Sequence, residues 1–200
     1  MNFKTTLIIL FAGLLLTTFT FGQSPKLIEY LGVAGPISFD KVSYNLAWTS
    51  HPADNYYKQE YLAKGDTIER YKKLIMLEII TGKTKLKDIV ATKIAELKKM
   101  KVLNPVIKYE TFEKDGEVLL DFIISENTPD GKLVSILERN VYRYKLVIDK
   151  SGQKGVLLFG ISDRYYGNEI DDFFATFELK RFDLINLIGA IDIPNISINK

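Results

Sequence analysis

The chain has 200 residues, 46% of them hydrophobic, and its 27 basic and 25 acidic side chains nearly cancel. This length suits one domain whose core is large enough to be stable without disulfides or metals. There is no cysteine, which excludes disulfides, thiol catalysis and thiolate metal sites, and no long basic block supports a nucleic-acid partner.

The first 22 residues have the pattern of a secretory signal peptide. Lys4 precedes an apolar run from Leu7 to Phe21, and small residues lead to a cleavage point before Gln23. The run is shorter than the ~20 residues that a membrane-spanning helix needs. We therefore expect residues 23–200 to form a single secreted or periplasmic domain with no lipid anchor and no stable membrane anchor after cleavage.

The first half of this domain has the pattern of strands separated by polar turns. Residues 37–48 and 56–63 are predicted strands, and the Pro- and Asx-containing segment 50–55 is the predicted turn between them. The segment Ile68 to Thr81 fits a helix or a strand about equally, as short apolar runs often do. We favour a strand from about Lys72, because hairpin signals flank it.

A helix is predicted next, because apolar residues recur at three- and four-residue steps between Leu86 and Leu97. Thr84 is the predicted N-cap, and Asn104-Pro105 should end the helix.

Four further strands are predicted before a second helix. They cover about 106–112, 118–125, 134–148 and 156–162, with Asp115-Gly116 as a strong hairpin signal. The final helix should begin at Asn168, where acidic residues favour the positive end of the helix dipole, and end near Gly189.

The resulting order is β-β-β-α-β-β-β-β-α. Successive strands joined by short turns pair antiparallel, and a sheet face stays bare unless helices cover it. The fold class predicted is α+β: an antiparallel β-sheet covered by two principal α-helices.

The strand at 134–148 alternates between two residue classes. One face should belong to the core; its residues are Asn140, Tyr142, Tyr144, Leu146 and Ile148. The other face should see solvent; its residues are Arg139, Val141, Arg143, Lys145 and Val147. The alternative is a pocket for an anionic or planar ligand, lined by Arg143, Arg164, Tyr165 and Tyr166, because the arginine fork suits carboxylate or phosphate.

Residues typical of catalysis are scarce. His51 is the only histidine and lies in a predicted turn, so no zinc site and no cofactor is expected. Asp171 and Asp172 are neighbours on a helix and point about 100° apart, so they do not form a carboxylate pair. A sugar-binding platform of Trp48 with Tyr56, Tyr57 and Tyr61 is a further hypothesis, although core-margin packing explains these tyrosines better.

Two segments, YLAKGDTIERYKKLIML and FFATFELKRF, together with the order of elements from Ile37 to Ile188, resemble the Mog1/PsbP/DcrB-like superfamily of exported proteins. The resemblance implies a binding or accessory role in an envelope compartment and transfers no functional residue.

The function expected is that of an exported non-catalytic module that binds an envelope protein or a small ligand. Two alternatives stay open: a hydrolase or transferase that uses Asp/Glu chemistry, and a carbohydrate-binding protein that uses Tyr and Trp.

Overall fold

The computed structural model describes residues 27–199, which form eight strands and two helices. The elements are β1 Ile37–Phe39, β2 Val42–Ala53, β3 Tyr56–Ala63, β4 Lys73–Thr81, α1 Leu86–Leu103, β5 Lys108–Lys114, β6 Glu117–Asn127, β7 Val134–Ile148, β8 Lys154–Tyr166 and α2 Glu169–Ala190. The signal peptide predicted at residues 1–22 lies outside the described residues.

The strands form one antiparallel sheet in the order β1-β2-β3-β4-β8-β7-β6-β5. It is curled into a half-barrel. Long paired strands carry the right-handed twist of β structure, and the twist accumulates across eight of them. The edges, β1 and β5, stay apart.

The predicted fold class was therefore wrong in two respects. The helices do not cover a flat sheet, and the element order differs. The segment predicted as one strand over 37–48 is two strands, because Asp40 and Lys41 both adopt positive φ angles (48° and 65°) and form a two-residue turn.

The helices lie on opposite faces of the sheet. The α1 face carries the even residues of β4, β6, β7 and β8, and Val90 and Leu97 of α1 pack there with Leu120 and Phe122. The α2 face carries the odd residues of the same strands, and its core includes Leu184 and Ile188 of α2. Each helix covers only part of its face, since α1 lies closest to β5 and β7 while α2 lies closest to β6, β7 and β8.

Local signals in the sequence placed most turns and ends correctly. Asp115 and Gly116 have φ angles of 53° and 79° and join β5 to β6, as the hairpin signal predicted. The segment around Lys73–Thr81 is a strand, and Asn104 caps the end of α1. The predicted cap at Thr84 was wrong, because the N-cap residue of α1 is Lys85 and makes no side-chain cap bond.

The predicted turn at 50–55 was also mostly wrong, since β2 continues to Ala53. His51 lies within this strand, and its ring stacks on Tyr57 at 4.1 Å between centroids. The stacking gives His51 a packing role at the end of the sheet.

The solvent-facing assignment of the odd residues of β7 was wrong as well. Arg139 is buried and Arg143 is half-buried, because α2 lies over this face. The even face is core-like at Asn140, Tyr142 and Tyr144 but not at Leu146 and Ile148, which are exposed. Strand alternation identifies which residues share a face, but it does not reveal which element covers that face.

Candidate functional site

The groove between the first half of α2 and the ends of β4, β7 and β8 has a volume of about 620 Å³. We call it the α2 groove. It is lined by Lys72, Lys73, Arg139, Asp163, Arg164, Tyr165, Glu169, Asp172, Phe173, Ala175, Thr176, Phe177 and Lys180. Grooves of this size with a few convergent polar groups are the usual form of small-molecule sites.

Three aromatic rings form one wall of the α2 groove. The ring of Tyr165 lies 4.7 Å from that of Phe173, which lies 5.1 Å from that of Phe177. Tyr165 is positioned by β8, whereas the two phenylalanines are one helical turn apart on α2. Burial, reinforced by nearby Asp163, raises the pKa of the Tyr165 hydroxyl to about 12, so this hydroxyl stays protonated at neutral pH.

The α2 groove is also lined by a half-buried carboxyl group, that of Asp163. Burial raises the pKa of Asp163 above its ordinary value, although Lys73 and Arg139 oppose this shift. The Nζ atom of Lys73 lies 3.2 Å from Oδ1 of Asp163 and forms an ion pair with it. Asp163 therefore combines a raised pKa with a lysine partner at its carboxylate, and carboxyl groups with perturbed pKa values are frequent at functional sites.

Arg139 also borders the α2 groove, but its guanidinium group is already paired with a carboxylate. Its Nε and Nη2 atoms lie 3.0 and 3.1 Å from the two carboxylate oxygens of Asp121. It also donates to the main-chain carbonyl of Arg181 on α2, and its guanidinium lies over the ring of Phe177 at 5.1 Å. Arg139 thus joins the sheet to α2 and supports the aromatic wall.

The rim of the α2 groove is formed by flexible charged side chains. Lys72 is paired with Glu169, and this hydrogen bond lowers the pKa of the Glu169 carboxyl. Lys180 lies on the opposite rim, is exposed, and makes no ion pair with any residue in the described part of the chain. Lys180 is consequently the cation most accessible to a ligand in the groove.

The four residues predicted to share a pocket are not brought together. Arg164 and Tyr165 both border the α2 groove. However, Arg164 and Tyr166 are even residues of β8 and project from the α1 face, whereas Tyr165 projects from the α2 face. Arg143 is paired with Phe159 in register, five residues away from Arg164 along β8.

Arg164 and Tyr166 both have partners within the protein. The Nε atom of Arg164 lies 2.5 Å from Oε2 of Glu138, and its guanidinium stacks on Tyr71 at 4.0 Å. The hydroxyl of Tyr166 donates to the carbonyl of Tyr71 at 3.0 Å. These contacts hold the β3–β4 connection against the sheet.

Arg143 also has internal partners. It pairs with Glu117 and donates two hydrogen bonds to the C-terminal end of α2, to the carbonyls of Ile188 and Ile191 at 3.1 and 3.0 Å. The last turn of α2 contains no basic residue of its own. Arg143 therefore supplies, from β7, the positive charge that favours a helix C-terminus.

The aromatic residues considered as a sugar platform are divided between the two faces. Tyr57 and Tyr61 are buried on the α2 face, where the Tyr61 hydroxyl donates to the carbonyl of Val33 at 2.6 Å. Trp48 and Tyr56 lie on the α1 face beside Lys58, whose ammonium group is 5.6 Å from the Trp48 ring. The four rings form no common surface.

A second perturbed carboxyl group lies on the α1 face. Glu60 has no hydrogen-bond or ion-pair partner among residues 27–199, and burial raises its pKa, with Glu78 and Glu138 adding to the effect of burial. Glu60 and Asp163 project from opposite faces, so they do not act as a carboxylate pair.

Apart from Arg164 and Tyr165, which were predicted as site residues, one residue of the α2 groove had a signal in the sequence. Asp163 interrupts the apolar odd positions Leu157, Phe159 and Ile161 of β8, and a charge in such a series marks a special position. Nothing comparable marked Lys73, Phe173 or Lys180, because their proximity depends on the docking of α2.

The described part of the chain, residues 27–199, contains two helices. Neither of its helices has the length and hydrophobicity of a membrane span. Residues 27–199 also contain no group of three or more acidic or histidine side chains positioned to hold a metal ion.

The chain matches the model of an uncharacterised protein family over residues 31–193. Comparison with curated proteins and with solved structures finds no match. The comparisons give no evidence for the expected resemblance to the Mog1/PsbP/DcrB-like superfamily. Since the matched segment includes all eight strands and both helices, the chain belongs to this uncharacterised family.

Proposed function

We propose that the protein is an exported, non-catalytic binding module whose α2 groove takes a small anionic ligand with a planar apolar body. The observation that carries this proposal is the combination of the aromatic wall of Tyr165, Phe173 and Phe177 with the cation of Lys180 at one rim. Aromatic walls bury planar apolar groups, and a few charged side chains fix their orientation.

The α2 groove contains one cation, Lys180, that is exposed and could meet an anion. Five residues with cationic side chains line it, Lys72, Lys73, Arg139, Arg164 and Lys180, together with the acids Asp163, Glu169 and Asp172. The Arg164 side chain, however, projects from the α1 face. Four of the cations already have carboxylate partners, which leaves Lys180 and Asp172 as the lining charges with no ion pair among residues 27–199. A carboxylate or phosphate near Lys180 would gain a charge-assisted hydrogen bond without breaking an internal pair.

The binding test uses isothermal titration calorimetry with benzoate, 2-naphthoate and indole-3-carboxylate as probes, and benzyl alcohol as the uncharged counterpart. We expect the carboxylates to bind and benzyl alcohol to bind at least about tenfold more weakly, because it lacks the charge-assisted bond. Lys180→Ala should weaken carboxylate binding by about tenfold. Thr176→Trp should abolish it by filling the groove.

The matched control for Lys180→Ala is Lys98→Ala. Lys98 is also exposed and helical, but it lies on α1, on the other face of the sheet. It should leave binding unchanged. The proposal fails if no carboxylate binds, or if Lys98→Ala weakens binding as much as Lys180→Ala.

A hydrolase or transferase is the second candidate, and Asp163 is the observation that favours it. Its raised pKa would suit a general acid or base. Asp163→Asn separates the two functions. A substrate is first sought by screening ester, glycoside and phosphoester libraries. The variant should keep its carboxylate affinity in both cases. If the protein is an enzyme, the variant should in addition lose turnover of the substrate that the screen finds.

Export is tested by the N-terminus of the expressed product. If residues 1–22 act as a signal peptide, intact-mass measurement of the protein recovered outside the cytoplasm should show a chain beginning at Gln23. Retention of Met1 in a cytoplasmic product would contradict export. It would not affect the ligand proposal, which the calorimetry tests separately.

A further inference from the structure

The end of β7 exposes two aliphatic side chains that its alternating pattern assigns to the core. Leu146 and Ile148 are each 65% exposed, although they continue the row of Tyr142 and Tyr144, which are buried. Two residues apart on one strand, they project from the same face about 7 Å from each other. A pair of neighbouring exposed aliphatic residues differs from the scattered apolar residues of an ordinary surface.

The architecture leaves this pair uncovered. β7 has β6 beside it only as far as Tyr144, which pairs with Val118. Beyond that residue, β7 pairs with β8 alone, Leu146 with Val156 and Ile148 with Lys154. The first residue of α1, Leu86, borders Leu146 only through a shared groove of about 610 Å³.

Lysines surround the pair. Three connections lie near the pair: those between β4 and α1, between β5 and β6, and between β7 and β8. These connections and the residues beside them contain six exposed lysines that form no ion pair within residues 27–199: Lys83, Lys85, Lys87, Lys114, Lys150 and Lys154. The exposed acids of these connections number three, Asp88, Glu113 and Asp115, and Asp54 lies in the adjoining β2–β3 turn. Asp149 is buried and accepts hydrogen bonds from Ser151 and Gln153, so it does not neutralise the surface.

The lysines and the aliphatic pair also share a concavity. A groove of about 480 Å³ is lined by Gly82, Lys83, Thr84, Leu146, Val147, Ile148, Lys154 and Gly155, and none of these residues is acidic. Ammonium groups and aliphatic side chains therefore meet within one small space. This arrangement suits a ligand that is anionic at one end and aliphatic at the other.

We propose that this surface, called the hairpin-tip surface and defined by Lys83, Leu146, Ile148, Lys150 and Lys154, docks reversibly onto an anionic phospholipid surface. Leu146 and Ile148 enter the boundary between headgroups and acyl chains, and the lysines lie near the lipid phosphates. Charge complementarity favours a lipid surface as the partner, because anionic headgroups attract exposed lysines and the boundary with the acyl chains accepts aliphatic side chains. The attachment is peripheral and needs no membrane-spanning segment.

The test is co-sedimentation with vesicles, using the chain from Gln23 onward so that the apolar run before it does not contribute. All ten elements and the three apolar cores lie within residues 27–199, so this chain contains the complete fold. We expect binding to vesicles of phosphatidylglycerol and phosphatidylcholine mixed equally. Binding to phosphatidylcholine alone should be at least about tenfold weaker, and added salt should weaken the first interaction.

Two variants separate the apolar and the electrostatic contributions. Leu146→Asp/Ile148→Asp and Lys83→Glu/Lys154→Glu should each lower the affinity for the mixed vesicles by at least about tenfold. All four positions are exposed, so the variants should fold, and far-UV circular dichroism checks this.

Leu133→Asp is the matched control. Leu133 is 69% exposed and precedes β7 at the opposite end of that strand, so the change should leave vesicle binding intact. The proposal is overturned if the wild-type protein does not sediment with the mixed vesicles, if pure phosphatidylcholine binds it equally well, or if Leu133→Asp reduces binding as much as the change at the hairpin tip.

Discussion

Arg143 on β7 donates a hydrogen bond of 3.1 Å to the main-chain carbonyl of Ile188 in the last turn of α2. A second bond, of 3.0 Å, reaches the carbonyl of Ile191 just beyond the helix. This contact replaces the basic residue that the last turn of α2 lacks. It places a side chain considered for ligand binding among the groups that hold α2 on the sheet.

Replacement of Arg143 by Met should lower the free energy of unfolding by about 1–3 kcal/mol, because helix carbonyls and the Glu117 carboxylate lose their donor. Urea denaturation followed by circular dichroism measures the change. Lys145→Met is the matched control, since Lys145 lies 3.5 Å from the same Glu117 carboxylate but makes no helix contact. It should cost less than about 1 kcal/mol. Equal losses in the two variants would contradict the capping role.

Arg139 and Asp121 form a buried pair whose side chains are 6% and 5% exposed. Arg139→Met should lower the free energy of unfolding by about 3–5 kcal/mol, because it leaves the Asp121 carboxylate buried without its partner. Adding Asp121→Leu should restore part of that loss, since the double variant contains no unpaired charge. A double-mutant cycle in urea measures both effects. A double variant less stable than Arg139→Met would show that the buried charge is not the cause.

Glu60 should make the protein less stable as the pH rises. Burial raises the folded-state pKa of Glu60 above its ordinary value of 4.5, so the folded protein holds this proton more tightly than the unfolded chain. The associated stability is present at low pH and is lost as the pH rises from about 4 through the raised pKa. Glu60→Gln removes this dependence, and its advantage over the wild type should therefore grow with pH.

Urea denaturation of both proteins from about pH 4 to about pH 8 tests this prediction, because the difference between them cancels the contributions of other groups. Glu113→Gln, an exposed substitution on β5, is the control and should leave the pH dependence unchanged. The reverse trend, an advantage that shrinks as the pH rises, would refute the raised pKa of Glu60.

Gly160 and Gly189 should respond oppositely to alanine. A Cβ atom at Gly160 would lie 2.9 Å from Cδ1 of the buried Tyr142 ring, so Gly160→Ala should lower the free energy of unfolding by about 1–3 kcal/mol. Gly189 is helical with open space around it, so Gly189→Ala should add up to about 1 kcal/mol.

Thermal denaturation of both variants shows directly whether each substitution lowers or raises the stability of the protein. In a Tyr142→Ala background the cost of Gly160→Ala should shrink, because the ring that crowds the new methyl group is gone. An unchanged cost in that background would assign the loss to the backbone of β8 instead.

Local patterns in the sequence determined the strands, the helices and most of their boundaries. Asp115-Gly116 specified a hairpin because two residues at positive φ make a turn whose twist matches the strands. The spacing of apolar residues between Leu86 and Leu97 specified α1, because three- and four-residue steps place side chains on one side of a helix. Each of these signals acts over a few residues and needs no distant partner.

Only the tertiary structure decided which side of each strand is covered and what the charged residues do. Alternation on β7 grouped Arg139 with Arg143, but α2, far along the chain, turned their face from a solvent surface into a helix contact. The same alternation grouped Leu146 with Tyr144, yet α1 and β6 end before they reach Leu146. Strand periodicity records which side chains share a face, whereas burial depends on the docking of elements that are distant in sequence.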